Sequence, residues 1–316
     1  MLTGPGVPDR NQPAEYVAEH EASAVTLVRF ELQGAIFALD LTRVGSVVEA
    51  STVRRSEGSD DERTFGTITA GSQVIPVRNL GQAGSDEVDV DSARVVILRD
   101  QPARGVLVDR ILASRTVVSS AIVPMPDLML ERLGTTAAGG IVWHGDDVVE
   151  LLFNPEAVDS EREESSGSDE ARTLRRVRVA QRYGALDHTH SLEVRIGAPQ
   201  DRWSIPMSII RHIADYRPPL AVPGARSDIR GLLAWQGNPI PVIDPSETLG
   251  IEGGTGTGAK VVVIGPPGAP ADLADCAIVV DWVHGLHTNL QVSKTVTRDA
   301  AGRELRVFPV TVIVAG

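Results

Sequence analysis

The chain has 316 residues, 42% of them hydrophobic, which fits two globular domains with buried cores. Its 42 acidic residues outnumber the 30 basic ones, and the net charge of −12 disfavours nucleic acid and anionic membranes as partners. The single cysteine, Cys276, excludes an internal disulfide and lies in an apolar run, where we expect a buried, inert thiol. No run approaches the roughly 20 apolar residues of a membrane helix, so we expect a cytoplasmic protein without direct membrane insertion.

Residues 1–22 lack the apolar core of a signal peptide and predict a disordered N-terminal arm. From residue 23 onwards, short β-branched runs bounded by turn residues predict strands. In the first half these runs lie at 25–32, 36–41, 74–77, 95–98, 106–108, 141–143 and 148–153. Helical signal is limited to single turns at 42–49 and 209–214 and a short helix at 126–133. The sequence therefore predicts an all-β fold of barrels or sandwiches.

Three landmarks of the first half recur in the second half in the same order. They are Ile-Pro-Val at 75–77 and 240–242, an alternating run at 37–41 and 203–207, and an apolar run ending in Asp at 105–109 and 277–281. The copies are separated by 165, 166 and 172 residues, and the Pro- and Gly-rich insertion at 265–271 accounts for the larger third offset. Two tandem copies of one domain are the economical interpretation.

An acidic, Ser-rich stretch separates the two copies. Residues 159–170 contain no apolar side chain to bury, which predicts a linker with few contacts between the halves. We therefore place domain 1 at 23–158, the linker at 159–172 and domain 2 at 173–316. Cleavage within the linker is expected to leave two folded all-β fragments.

The order of these elements resembles a CheW-like domain. An alternating strand pair is followed by the Val-rich 44–48, a hairpin into 75–77, the run at 105–109 and a closing pair at 140–152. Repeat two carries the sharper match, since RGLLAWQGNPIPVID at 230–244 is similar to the family's segment RGVINLRGKVIPVVDL. The resemblance covers about 23–158 and 173–315. It implies two tandem domains of chemotaxis coupling proteins, each a pair of five-stranded SH3-like barrels around a shared core.

The chain departs from the family at charged positions. The family usually has Arg before the hairpin Gly, where repeat two has Gln236 and repeat one has Ala70 or Gly71, depending on the gap. The acidic residue usual in the family's VREV segment is Ser46 in repeat one and His212 in repeat two. Charged contacts that ordinary couplers use are therefore missing from both copies.

By the same resemblance, partner contacts are expected on both repeats. The expected binding residues are Val44, Ser46, Ile210, His212, Trp235 and Gln236. Trp235 has two interpretations, as an exposed hot-spot anchor or as a side chain packed in the barrel. With the usual charges missing, we expect binding to depend on apolar burial around Val44, Ile210 and Trp235.

Motifs for catalysis are scarce. The Gly-rich run at 253–260 lacks the Gly-Lys-Ser/Thr ending of a phosphate loop and leads into a strand. Asp281 recurs at a strand end like Asp109, which favours a turn cap over a catalytic acid. The competing hypothesis is a metal-dependent or small-molecule enzyme centred on Asp281, His284 and His287. We expect no catalytic residue, metal or cofactor.

The resemblance implies a non-enzymatic scaffold of a bacterial chemotaxis-like signalling system. Its expected partners are the cytoplasmic tips of chemoreceptors (methyl-accepting chemotaxis proteins), the regulatory domain of a CheA-type histidine kinase, or divergent equivalents of these. An amphipathic helix in an apolar groove gains affinity by buried area, and tandem copies add avidity. Recruitment from the cytoplasm to membrane-associated receptor arrays would follow.

Overall fold

The computed structural model describes residues 23–56, 64–80, 89–125, 129, 137–144, 148–158, 169–251, 258–270, 273–293, 295–299 and 301–315. Most of the short helix expected at 126–133 and the expected arm at 1–22 lie outside these residues. The described chain forms four sheets, two from each repeat. No helix within it has the length and apolar character needed to cross a membrane.

Domain 1 contains two six-stranded sheets. The first has the order β10-β11-β12-β2-β1-β9, with strands β1 (Ala24–Leu32), β2 (Ala35–Asp40), β9 (Arg110–Val118), β10 (Ile122–Pro124), β11 (Ala138–His144) and β12 (Val148–Phe153). The second has the order β3-β7-β8-β6-β5-β4, with strands β3 (Val44–Glu49), β4 (Arg54–Arg55), β5 (Thr64–Ala70), β6 (Gln73–Arg78), β7 (Arg94–Leu98) and β8 (Gly105–Val108).

Domain 2 repeats both sheets. Its first sheet has the order β20-β13-β14-β23-β22-β21, with strands β13 (Ser191–Arg195), β14 (Arg202–Pro206), β20 (Trp282–His287), β21 (Gln291–Val292), β22 (Val296–Arg298) and β23 (Glu304–Val307). Its second has the order β15-β18-β19-β17-β16, with strands β15 (Ile210–Asp215), β16 (Ile229–Trp235), β17 (Asn238–Ile243), β18 (Lys260–Ile264) and β19 (Cys276–Val280).

The matching strand orders confirm the two tandem copies. In domain 2 an isolated bridge between Leu220 and Leu232 takes the place of the β4–β5 pairing, which joins Arg54 to Thr67. The all-β fold is confirmed. One sheet has the expected five strands, and each of the other three has one additional short strand at its edge. The helical turns expected at 42–49 and 209–214 are shorter: 3₁₀ turns at Leu41–Arg43 and Met207–Ile209 lead directly into strands β3 and β15.

The described part of the second half contains three α-helices. They are α1 (Asp169–Tyr183), α2 (Ser246–Leu249) and α3 (Val310–Ala315). Helix α1 begins inside the stretch assigned to the linker and packs against α3. Two side chains in the last turn of α1 contact Asp275, the residue before β19. The Tyr183 hydroxyl donates to the Asp275 carboxylate at 2.8 Å, and Arg182 forms an ion pair with the same carboxylate.

Each domain buries its main core between its two sheets. In domain 1, Phe30 and Phe37 of the first sheet share a cluster with Leu98 of the second. In domain 2 the corresponding cluster includes Ile205 and Ile264. Cys276 is fully buried in that cluster, as expected from its apolar run. A smaller hydrophobic cluster packs within the second sheet of each domain.

The aromatic centre of domain 1 gives a stability prediction. Phe37 is fully buried, and its ring centroid lies 5.9 Å from that of Phe30 and 6.0 Å from that of Phe153. Phe37→Ala should lower the free energy of unfolding by about 3–5 kcal/mol, because it leaves a cavity that packed neighbours cannot fill. The half-buried Phe65 is the matched control, and Phe65→Ala should cost clearly less. Denaturant titration followed by circular dichroism measures both, and equal costs would contradict the assignment of the core.

Candidate partner-binding site

In both domains the chain crosses from the first sheet to the second through a 3₁₀ turn that exposes a large apolar side chain. This side chain is Leu41 in domain 1, 47% exposed, and Met207 in domain 2, 36% exposed. In domain 1 the Asp40 carboxylate caps the turn by accepting from the backbone N–H of Thr42 at 2.8 Å. The turn therefore has a defined shape that holds Leu41 outward.

The edge strand that follows extends this apolar surface. Val44 is buried at the end of the turn, and Val47, three residues further on, is 42% exposed. The same spacing recurs in domain 2. We call the two sets the edge surfaces: Leu41, Val44 and Val47 in domain 1, and Met207, Ile210 and Ile213 in domain 2. Strands β3 and β15 lie at the ends of their sheets, so each has one side without a neighbouring strand in its sheet.

The strand register confirms that Ser46 and His212 are equivalent positions. Val44 pairs with Leu98 and Ser46 with Ile97, while Ile210 pairs with Ile264 and His212 with Val263. Each strand has a bulge at the residue between, Gly45 or Arg211. Ser46 and His212 are exposed beside the edge surfaces. The positions that carry charge in the family are thus open to solvent and carry no carboxylate here.

Trp235 lies at the seam of the second sheet of domain 2, which is the place where its two edge strands meet. It ends β16, one edge strand, and its ring centroid lies 5.4 Å from that of His212 on β15, the other edge strand. Trp235 is half-buried against the cluster that contains Ile240 and Val261, and its indole Nε1 is buried without a hydrogen-bond partner among the described residues. This placement favours packing in the barrel over an exposed anchor.

Gln236 occupies the hairpin turn beside Trp235. Its backbone has a φ of +48°, and its side chain is exposed. Pairing of Trp235 with Asn238 and of Ala70 with Gln73 makes Gly71 its equivalent in repeat one. The register thus resolves the alternative left open by the sequence, and neither hairpin carries an Arg at this position.

Of the six expected residues, His212 and Trp235 are in ring contact in domain 2, and Gln236 follows Trp235 in the hairpin. Ile210 packs instead against the cluster between the two sheets, while Val44 and Ser46 are the domain 1 equivalents of Ile210 and His212. Sequence reasoning missed the exposed apolar members, which are Leu41, Val47 and Met207. A signal was present, since apolar residues three apart recur in both repeats at the same offset of 166 residues.

The residues of the competing metal hypothesis have other roles in the structure. The Asp281 carboxylate accepts from the backbone N–H of Gly197 at 2.6 Å, as expected for a turn cap. His287 Nε2 lies 2.6 Å from Glu193 Oε2, and His284 is exposed on the same strand. The residues that the structure describes contain no group of three or more His, Cys, Asp or Glu side chains able to hold a metal ion.

Glu193 is a buried carboxylate in the first sheet of domain 2. Burial alone would raise its pKa, but the hydrogen bonds that it accepts from His287 at 2.6 Å and Arg202 at 2.7 Å outweigh burial and hold the pKa below its ordinary value of 4.5. Its equivalent in domain 1 is Arg29, which donates to the buried Glu150 at 2.7 Å. In both sheets a buried carboxylate is thus paired with basic side chains.

These features define a tandem of double-barrel domains with exposed apolar edges, a class of protein that acts by binding other proteins. A family model described as CheW-like domain matches residues 26–162 and 191–294. The chain belongs to the CheW-like domain family, and this membership indicates a coupling or scaffold role in chemotaxis signalling.

Comparison with solved structures gives a match to the crystal structure of the scaffolding protein TtCheW from Thermoanaerobacter tengcongensis. The two sequences are 20% identical, the match covers 43% of this chain and 88% of that chain, and the TM-score is 0.35. A comparison with curated proteins gave no match.

Trp235 gives the first prediction from this site. Trp235→Ala should lower the free energy of unfolding of domain 2 by about 2 kcal/mol, because it removes half-buried apolar area from the barrel seam. Trp282, which is 47% exposed, is the matched control, and Trp282→Ala should change stability by no more than about 0.5 kcal/mol. Thermal melting measures both. Unchanged melting of Trp235→Ala, with weakened partner binding, would restore the anchor interpretation.

Glu193 gives a second prediction. A carboxyl whose pKa is lower in the folded than in the unfolded state contributes stability above its unfolded pKa and loses that stability as pH falls through its folded pKa. Domain 2 should therefore lose stability as pH falls below 4.5, and Glu193→Gln should make that loss shallower. Glu304→Gln removes an exposed carboxylate and is the control. Identical slopes of unfolding free energy against pH for wild type and Glu193→Gln would contradict this.

Proposed function

We propose that this protein is a non-enzymatic coupling scaffold that joins the cytoplasmic tips of chemoreceptors to the regulatory domain of a CheA-type histidine kinase, or divergent equivalents of these partners. Its place of action is the cytoplasm, at receptor arrays. Family membership supports the coupling role, and the observation that carries the proposal is the exposed apolar side chain of the 3₁₀ turn in both repeats, Leu41 and Met207.

The chemistry of the edge surfaces suits a helical partner. An amphipathic helix presents apolar side chains at intervals of three and four residues, and these can cover Leu41 and Val47 or their equivalents. The expected residues Ser46 and His212 border this contact, and Gln236 lies beyond Trp235 on the adjoining hairpin. With two copies on one chain, a receptor and a kinase domain, or two receptors, can be held together.

Binding to purified partner fragments tests the proposal. Leu41→Glu and Met207→Glu should each weaken association with a receptor tip fragment or a kinase regulatory domain about tenfold or more, since a carboxylate cannot be buried unpaired in an apolar contact. Val74 is 61% exposed on β6 and gives the matched control, so Val74→Glu should bind normally. Isothermal calorimetry measures the affinities.

Two results would overturn the proposal. Failure of the wild-type protein to bind either fragment would exclude the coupling role. Equal loss of binding in the Val74 control would exclude the edge surfaces. The purified protein should also show no ATPase or phosphotransfer activity, and turnover that copurifies with it would contradict a scaffold.

A further inference from the structure

The core of domain 1 includes side chains from domain 2. Val222 and Leu232 of domain 2 are buried in the same contiguous cluster as Phe30, Phe37 and the other core residues of domain 1. The half-buried side chains that pack against this cluster from domain 2 are Leu220, Ala225 and Ile229. We call 220–232 the junction segment. These contacts between the halves come from within domain 2 and not from the linker, and they were not expected from the sequence.

The junction segment faces the end of domain 1 where its two sheets meet. A cleft between the domains is lined by Leu32 and Leu107 from domain 1 and by Val222 and Ile229 from domain 2. Leu32 ends β1 in the first sheet, and Leu107 lies on β8 in the second. With Leu80, which packs against the same cluster, these residues form a receiving face for the junction segment.

Backbone contacts within domain 2 hold the junction segment in shape. Leu220 and Leu232 exchange two backbone hydrogen bonds, of 2.9 and 2.8 Å. Gly231, the residue before Leu232 in β16, has a φ of +144°, and a Cβ there would lie 2.2 Å from the Leu220 carbonyl oxygen, so a side chain cannot be accommodated. The Arg226 guanidinium also makes two hydrogen bonds of 3.0 Å to Asp228. The segment is thus ordered by its own domain.

Domain 1 has the same backbone arrangement with different side chains. Gly66 approaches the Arg54 carbonyl as Gly231 approaches that of Leu220. The strand registers make Arg54 equivalent to Leu220 and Thr67 equivalent to Leu232. The backbone arrangement therefore belongs to the fold, whereas the apolar side chains occur only in the copy that meets the other domain.

We infer that domain 1 carries a docking face for the second sheet of a CheW-like domain, that domain 2 of the same chain is its permanent occupant, and that outside partners are excluded from it. The contact joins different faces of two homologous domains, an arrangement that builds a ring or a filament of many copies if every copy has both faces. Domain 1 has the polar residues Arg54 and Thr67 where domain 2 has Leu220 and Leu232. It therefore lacks an apolar junction segment, and another copy cannot repeat the contact.

Hydrogen exchange on the full chain tests the docking. In a Val222→Thr/Leu232→Thr variant, amide exchange should rise at least tenfold in domain 1, in β1 and β8, although both substitutions lie in domain 2. Trp235→Ala is the matched control, because it weakens domain 2 at the seam and should leave β1 and β8 protected. Exchange that rises only in domain 2, or rises equally in β1 and β8 of the control, would overturn the inference.

Leu220→Arg gives a milder variant if the double substitution does not fold, since Leu220 is half-buried and Arg is the residue that domain 1 uses there. It should raise exchange in β1 and β8 in the same way, and full protection of these strands would contradict docking.

The exclusion of outside partners rests on the proposed function and has its own readout. When a receptor or kinase fragment binds the wild-type chain, protection should appear at the edge surfaces and leave exchange at Leu32 and Leu107 unchanged. Added protection at the receiving face would overturn the exclusion. A complete lack of fragment binding would count against the proposed function and leave the docking result intact.

Discussion

The structure depends on burial of apolar side chains between the two sheets of each domain. Neither sheet covers its own inner face, so Phe30 and Phe37 of the first sheet of domain 1 meet Leu98 of the second in one cluster. The chain must cross from one sheet to the other at the border of that cluster. It does so in the three residues of the turn at Leu41–Arg43, too few to fold back over the core, so Leu41 remains outside. The most exposed apolar residues at the candidate site follow from this crossing.

The repeat architecture could be predicted because it depends on local pattern. Strand alternation and the Ile-Pro-Val landmarks recur at nearly constant offsets, and the observed strand orders agree. Helix α1 could not be found in this way. Its sequence is rich in Arg, and it resembles a charged linker until its last turns place Val179 and Tyr183 against the core of domain 2. Tertiary packing gives this helix its place.

The geometry of the candidate site could be predicted in part, and the limits have a physical reason. The resemblance to the family's VREV segment placed Ser46 and His212 at equivalent positions, which the registers confirm. It could not show whether Trp235 points outward, since alternation gives the face of a strand but not what covers that face. The junction was missed for the same reason. Leu220 and Leu232 have the pattern of ordinary strand residues of domain 2, and nothing local indicates that their side chains enter the core of domain 1.

Two homologous domains in one chain risk exchanging strands, and their buried charges oppose that exchange. Arg29 on β1 meets Glu150, whereas its equivalent on β13, Glu193, meets Arg202 and His287. If β13 took the place of β1, Glu193 would face the buried Glu150. If β1 took the place of β13, Arg29 would lie beside Arg202. It would also lose its carboxylate partner, because the residue equivalent to Glu150 in domain 2 is Leu305. Either exchange buries unpaired or like charges, which costs several kcal/mol. The opposite signs at one position therefore keep each strand in its own sheet, while the apolar junction holds the two domains together.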